Sequence, residues 1–189
     1  MAKRKVECFV ENYLLKKWKL EVCRKLRGEI LEIGIDDCKI VSYFPRSAKI
    51  TAIDTNDLML AQVRKHASKN KHQVHAYHMS PDHLLFTAQS FKYVMGIFLF
   101  GQSTNPVKLF KEIKRVTKKN GKIIIIEHVK SKYQLIALVQ QILRPFIQLF
   151  FGVEIIPNIK DEVKKAGLEI TCERSICLAD CIREFTCEK

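Results

Sequence analysis

The chain has no stretch of roughly eighteen apolar residues uninterrupted by charge or proline, so a membrane-spanning helix is not expected. Its first residues, MAKRKVECFVENYL, are basic but lack the apolar core of a secretion signal. Paired C-x2-C knuckles are missing too. Cys172, Cys177, Cys181 and Cys187 are separated by four, three and five residues, which argues against zinc, and no metal is expected. The cysteines number seven, odd and scattered, a usage typical of reduced intracellular thiols. No Ser-His-Asp set, internal repeat, linker or low-complexity segment is visible. No aromatic-interleaved RNA motif accompanies the basic residues. These absences point to a cytoplasmic protein.

What is present is an ordinary globular composition, 189 residues with 47% hydrophobic and 28% charged. That suffices for one well-filled core, and a single domain over 1–189 is expected. The net charge is +13. Its cations gather in helical stretches: Lys16, Lys17, Lys19, Arg24, Lys25 and Arg27, then Lys108, Lys111, Lys114, Arg115, Lys118 and Lys119. Such a surface attracts RNA, DNA or anionic lipid, and a solvated helix face gives the same pattern.

The chain is organised around residues 28–54, GEILEIGIDDCKIVSYFPRSAKITAID. Glu29 to Ile33 reads as a strand that stops at Gly34. Lys39 to Phe44 is a short helical candidate closed by Pro45, and Ala48 to Ile53 is a second strand ending on Asp54. The result is a βαβ unit with glycine at its first turn and a carboxylate at the tip of its second strand. Nucleotide-like ligands sit at that edge, where the backbone comes close and the acid accepts from ribose hydroxyls.

Before it, residues 6–27 predict an amphipathic helix with Val10, Leu14, Trp18, Val22 and Leu26 on one face, and Trp18 in the core. After it, TNDLMLAQVRKHASKN predicts a helix capped by Asn56 or Asp57. Gln73 to Tyr77 is a third strand, and Phe91 to Phe100 a fourth, apolar enough to be buried on both faces. Asn105-Pro106 opens the next helix, with Val107, Phe110, Ile113 and Val116 or Thr117 inward. Lys118 and Lys119 are expected in its last turn and Asn120-Gly121 at its end. Lys122 to Glu127 is a fifth strand. Residues 133–151 form an apolar insertion interrupted by Arg144-Pro145, fit to lie in a membrane interface, to roof an apolar pocket or to pack as a core helix pair. IKDEVKKAGLEI gives a helix ended by Gly167 and a sixth strand, and 182–189 a seventh. Alternating strands and helices predict an α/β, Rossmann-like three-layer sandwich. Its parts would be an N-terminal helix (1–27), a cofactor-binding core (28–130), an apolar lid (131–160) and a C-terminal helix and strands (161–189).

Glu32-x-Gly34 followed by Asp54 resembles the first two motifs of class I S-adenosylmethionine-dependent methyltransferases. VKLFKEIKRVTKKNGKIIIIEHV resembles the branch holding ubiquinone and menaquinone methylases, phosphatidylethanolamine N-methyltransferases and membrane-associated alkyl-thiol methyltransferases. The likeness spans about residues 28 to 130. Asp36 and Cys38 stand where that family has its second and third glycines, Ser80 where an acid often reads adenine, and Lys92 where Asp is common. The resemblance implies a mostly parallel seven-stranded sheet with one antiparallel edge strand, and S-adenosyl-L-methionine as cofactor. It would be held by Glu32, Gly34, Ile35, Asp36, Asp54, Thr55, Ser80, Pro81 and Phe98. Asp36 would repel the methionine carboxylate and accept from its ammonium; Asp82 is an alternative adenine reader. The turn 101–104 would bring the acceptor to the methyl group.

Methyl transfer from a sulfonium asks for in-line geometry and exclusion of water, plus one base for some acceptors. His128, at the tip of the fifth strand, is the candidate base, ahead of His83 and His78; packing or capping is its other reading. Cys38 would be reactive if the helix N-terminus stabilised its thiolate. The expected function is methylation of a small apolar or amphiphilic acceptor (lipid, quinone-like or thiol), possible at an anionic membrane surface. The other class is a non-catalytic protein of the same fold that binds RNA, anionic lipid or a protein partner.

Overall fold

The computed structural model describes residues 9–100, 103, 105–151, 159–177 and 179–189. Helix α1 (Phe9–Cys23) precedes β1 (Glu29–Ile33), a 3-10 helix (Cys38–Tyr43), β2 (Lys49–Asp54), α2 (Asp57–Asn70) and β3 (Val74–His78). Then follow β4 (Phe91–Ile97), α3 (Pro106–Val116), β5 (Thr117–His128), α4 (Gln134–Phe151), α5 (Ile159–Lys165), β6 (Glu169–Ser175) and β7 (Ile182–Glu188).

The seven strands make one sheet in the order β3-β2-β1-β4-β5-β7-β6. Strands β1 to β5 pair in parallel, and β7 runs antiparallel to both its neighbours. The single reversed strand therefore lies one place in from the edge, which β6 forms. Ile123 to Ile126 explain the layering. Side chains alternate across a strand, so Ile124 and Ile126 enter one core cluster and Ile123 and Ile125 the other. The first cluster holds Trp18 and Val22 of α1, Ile40 and Val41 of the 3-10 helix, and Leu60 and Val63 of α2. The second holds Leu109, Phe110 and Ile113 of α3 and Val163 of α5. Burial on both faces is why β4 and β5 read as continuous apolar runs.

Local signals account for most ends. Asn56 caps α2 by accepting from the backbone N–H of Leu58 and Met59, and Asn105 caps α3 by accepting from Lys108. Two expectations need correction. Helix α3 ends at Val116 rather than at Asn120-Gly121, because the Thr117 hydroxyl donates to the Ile113 carbonyl and Thr117 already pairs with Phe91. Lys118 and Lys119 thus belong to β5. Gly121 serves a close approach instead of a helix end, since a Cβ there would lie 2.8 Å from the Lys92 carbonyl oxygen. The second correction concerns Pro145, which interrupts neither helix nor face: α4 runs through it. A proline removes one N–H bond and kinks a helix without always ending it.

The reversed strand is tied to the start of α4 through Asp180. Its carboxylate accepts from the Arg183 guanidinium and, at 3.2 Å, from the Lys132 amide. The Arg183 hydrogen bonds, more than any other cause, hold the Asp180 carboxyl at about 2, below its ordinary 3.8. A lowered folded value means stability that is present above 3.8 and lost as pH falls through 2. Asp180→Asn is therefore expected to destabilise the protein by about 2 kcal/mol at pH 7. Urea titrations should show the two proteins converging as pH approaches 2.

Candidate functional site

Parallel register puts the C-terminal ends of β1, β2, β4 and β5 on one edge: Ile33 pairs with Ile53 and Gly96, and Ile97 with Ile126. Strand order turns back between β1 and β4, since the chain first winds outward to β3. Open α/β sheets bind ligands in the crevice at such a reversal. Gly34, Asp54, Phe98 and His128 each directly end or follow one of these strands.

Asp54 is the best-anchored member. One carboxylate oxygen accepts from the Ile35 amide at 2.8 Å and the other from the Asn56 amide at 2.7 Å. Its own carbonyl accepts from Met79 N–H, and Gly34 N–H donates to Ile53. Gly34 has φ 69°, a left-handed conformation that glycine enters without a Cβ clash, so the turn passes close beside the acid. Thr55 lies exposed beside it. Ser80 is exposed and accepts from the Asp82 amide through its hydroxyl, while Pro81 is buried. The Ser103 hydroxyl donates to Asp82, which ties this loop to the start of α3. Gly101, Gln102 and Thr104, expected with Ser103 to present the acceptor, lie outside the described residues.

The glycine corner carries an unusual charge arrangement. Glu32 is 1% exposed, and neither of its carboxylate oxygens finds a hydrogen-bond partner among the described residues. Burial, then the nearby Asp36 carboxylate, pushes its acid well above the ordinary 4.5. Asp36 Oδ2 pairs with Lys19 Nζ at 2.7 Å, and Asp36 Oδ1 is buried without a partner among the described residues. Lys19 is itself only 4% exposed. Burial alone would lower its ammonium, but the Asp36 charge and hydrogen bond outweigh that and raise it. Three carboxylate oxygens thus remain unsatisfied beside Gly34, an arrangement that fits an incoming cationic donor such as an ammonium.

The two non-glycine positions of the corner do not converge. Asp36 is drawn to α1, while Cys38 begins the 3-10 helix and packs against the first core cluster. The expectation of a reactive Cys38 is corrected, because burial raises its thiol above the ordinary 9 and disfavours the thiolate.

At the other end, His128 stacks on Phe98 with ring centroids 4.1 Å apart and planes 13° apart. Phe98 has φ 54° and donates its N–H to Ile126 at 2.8 Å. A bulky residue in that conformation costs on the order of 1 kcal/mol or more, and such strain gathers at working sites. Of the other histidines, His78 pairs with Asp57 on the surface and His83 is exposed. Sequence reasoning missed Lys19, treating it as one more surface cation. The available signal was its place between Leu15 and Cys23, a second buried row four residues apart on α1.

A family model described as a methyltransferase domain matches residues 31–125, half of the chain. The phosphatidylethanolamine N-methyltransferase of Cereibacter sphaeroides is 25% identical over 121 residues, which cover 63% of this chain and 60% of the relative. Among solved structures, the [4+2]-cyclase SpnF superposes with a TM-score of 0.71 at 15% identity, over 93% of this chain and 79% of its own. A SAM dependent methyltransferase from Aquifex aeolicus superposes with a TM-score of 0.58 at 15% identity, over 93% and 87%. The structural likenesses establish the fold.

Glu32 makes the ligand-free protein sensitive to alkali. A raised folded value means that the folded state keeps a proton the unfolded state releases, so stability falls as pH climbs above 4.5. Thermal melts of Glu32→Gln without ligand should show a higher melting temperature than the parent at pH 8 and no difference at pH 4.

Proposed function

This chain belongs to the class I S-adenosylmethionine-dependent methyltransferases, and on that premise we propose that it methylates a small apolar or amphiphilic acceptor: a lipid, a quinone-like molecule or a thiol. The observation that carries the reading is Asp54, a buried carboxylate fastened to the Gly34–Ile35 turn at the sheet reversal. The residues present suit the cofactor. Asp54 offers its remaining lone pairs to ribose hydroxyls, and the unsatisfied oxygens of Glu32 and Asp36 suit the methionine ammonium. Ser80 and Pro81 would hold the adenine and Thr55 the ribose, with Phe98 also contributing to the site. Bound there, S-adenosylmethionine supplies a methyl group made electrophilic by the sulfonium. His128 is the base that removes the acceptor's proton, its ring held in place by Phe98. It stands about 10 Å from β1, two strand spacings away.

The acceptor class rests on α4. Leu135, Leu138, Val139, Ile142 and Phe146 recur at helical spacing, and all are exposed. Lys130 and Lys132, also exposed, precede the helix, and the chain carries +13 overall. That combination suits an anionic lipid surface, where apolar side chains enter and lysines meet headgroups. No helix among the described residues is long and apolar enough to cross a membrane.

The second reading, a binding protein without catalysis, is favoured by the Lys19–Asp36 pair at the corner where relatives have glycine. Calorimetry with S-adenosylhomocysteine separates the two. The parent protein should bind it and melt at a higher temperature in its presence. Asp54→Ala should weaken binding about 10-fold or more, the scale of a charge-assisted hydrogen bond. No binding by the parent at millimolar ligand would decide for the second reading.

A separate measurement tests the membrane face. The protein should sediment with phosphatidylserine-containing vesicles, and the Leu138→Glu, Ile142→Glu double variant should stay in the supernatant. Equal sedimentation of both would remove α4 from the acceptor assignment.

A further inference from the structure

We propose that Lys19, reaching down from α1, holds the carboxylate of the cofactor's amino-acid tail, with Asp36 as the group that positions it. The inference rests on the methyltransferase reading above and assigns a role that the motif alone leaves vacant. Where Asp36 and Cys38 replace glycine, the backbone is less able to approach the tail, and a side chain must supply what the turn does not.

Three observations converge. First, Lys19 is buried on α1 at 4% exposure, and a buried lysine without a task is rare. Second, it makes a 2.7 Å bond with Asp36 Oδ2, which uses one of its three donors. Third, Glu32 Oε1, Glu32 Oε2 and Asp36 Oδ1 are buried polar atoms that lack a partner among the described residues. An α-amino acid tail brings what this cluster is missing. Its ammonium can donate to Asp36 Oδ1 and to the carbonyl oxygen of the Glu32 acid, whose O–H can in turn donate, and its carboxylate accepts from the remaining donors of Lys19. The added zwitterion changes no net charge, yet it places each charge beside one of opposite sign. Asp36 alone would repel the tail's carboxylate; paired with Lys19 it becomes the group that points an ammonium at it.

The rest of α1 is built to hold this geometry. Trp18 donates through its indole N–H to Glu184 at 2.7 Å, and Arg174 bridges Glu21 and Glu184. The residue before Lys19 is thus bolted to β7, so Lys19 is aimed by the fold rather than by its own flexible stem.

The test compares two ligands by calorimetry. S-adenosylhomocysteine carries the tail, and 5′-methylthioadenosine is the same nucleoside without it. For Lys19→Met, affinity for S-adenosylhomocysteine should fall about 10- to 100-fold, the range for losing a hydrogen bond between charged groups. Affinity for 5′-methylthioadenosine should hold, and Lys19→Arg should recover most of the loss. Because Lys19→Met leaves Asp36 buried and unpaired, Lys19→Met with Asp36→Asn provides a neutral background that should show the same selective loss. Equal weakening of both ligands would mark Lys19 as structural and overturn the proposal. Tighter S-adenosylhomocysteine binding by Lys19→Met would identify Lys19 as a plug and also overturn it. If the parent binds neither ligand, the cofactor reading itself fails; if it binds both and Lys19→Met does so unchanged, only the present inference falls.

Discussion

The carboxylate of Asp54 fixes the relative position of the loops at the sheet reversal. It joins the turn after β1 through Ile35, its own turn through Asn56, and, by its main-chain carbonyl, the segment after β3 through Met79. Each charge-assisted bond to an amide contributes about 1.5–3 kcal/mol, against a fraction of that for a surface ion pair. The strands bring these loops near one another, and the acid adds the two side-chain ties to Ile35 and Asn56. The constraint also gives the edge its polarity, because the Ile35 and Asn56 amides that face Asp54 are no longer available to an anionic ligand.

Against that fixed corner, Glu32 and Asp36 pose an electrostatic difficulty. An uncompensated ion costs several kcal/mol to bury, far more than one exposed pair returns. The fold answers in two ways. Burial raises the Glu32 acid well above its ordinary 4.5 and so favours its protonated form, and Asp36 is paired with a lysine brought in from α1. The ligand-free corner is accordingly tolerable without being satisfied, since three oxygens still lack donors among the described residues. Native proteins rarely leave such groups unpaired without a reason in redox chemistry, catalysis or binding.

Features governed by near neighbours in the chain were legible before any coordinates. The βαβ unit, the Asn105-Pro106 helix start and the buried strands follow from local periodicity and capping. Gly34 at the turn after β1 and Asp54 at the tip of β2 stand where the spacing places them, while the bonds from Asp54 to the Ile35 and Asn56 amides are a finding of the structure. Features governed by distant partners were not. Helix α3 stops at Val116 because β5 claims Thr117 through β4, a competition that the lysines and Asn-Gly at 118–121 conceal. Lys19 looked like its solvated neighbours because its partner lies 17 residues on, past the first strand. Nor does the motif show where Asp36 and Cys38 go: one is drawn to α1 and the other packs against the first core cluster.

The edge of the sheet also has a direction. Its β1–β2 end is dense in charge and amides, its β4–β5 end carries the Phe98–His128 stack, and α4 follows directly from there. Helix α4 turns Ala137 inward and leaves a row of apolar side chains outward. Gln140, half-buried, accepts from the Ser131 amide and donates to the Val129 carbonyl, while Leu138, Val139 and Ile142 face outward. A helix whose amide side chain is committed inward cannot roll its apolar face into the core without breaking both bonds. Those two bonds therefore favour the exposed placement of that face. Under the proposed function, a zwitterionic cofactor and an apolar acceptor would have opposite solvation demands, and a charged β1–β2 end next to an apolar α4 face would serve one each.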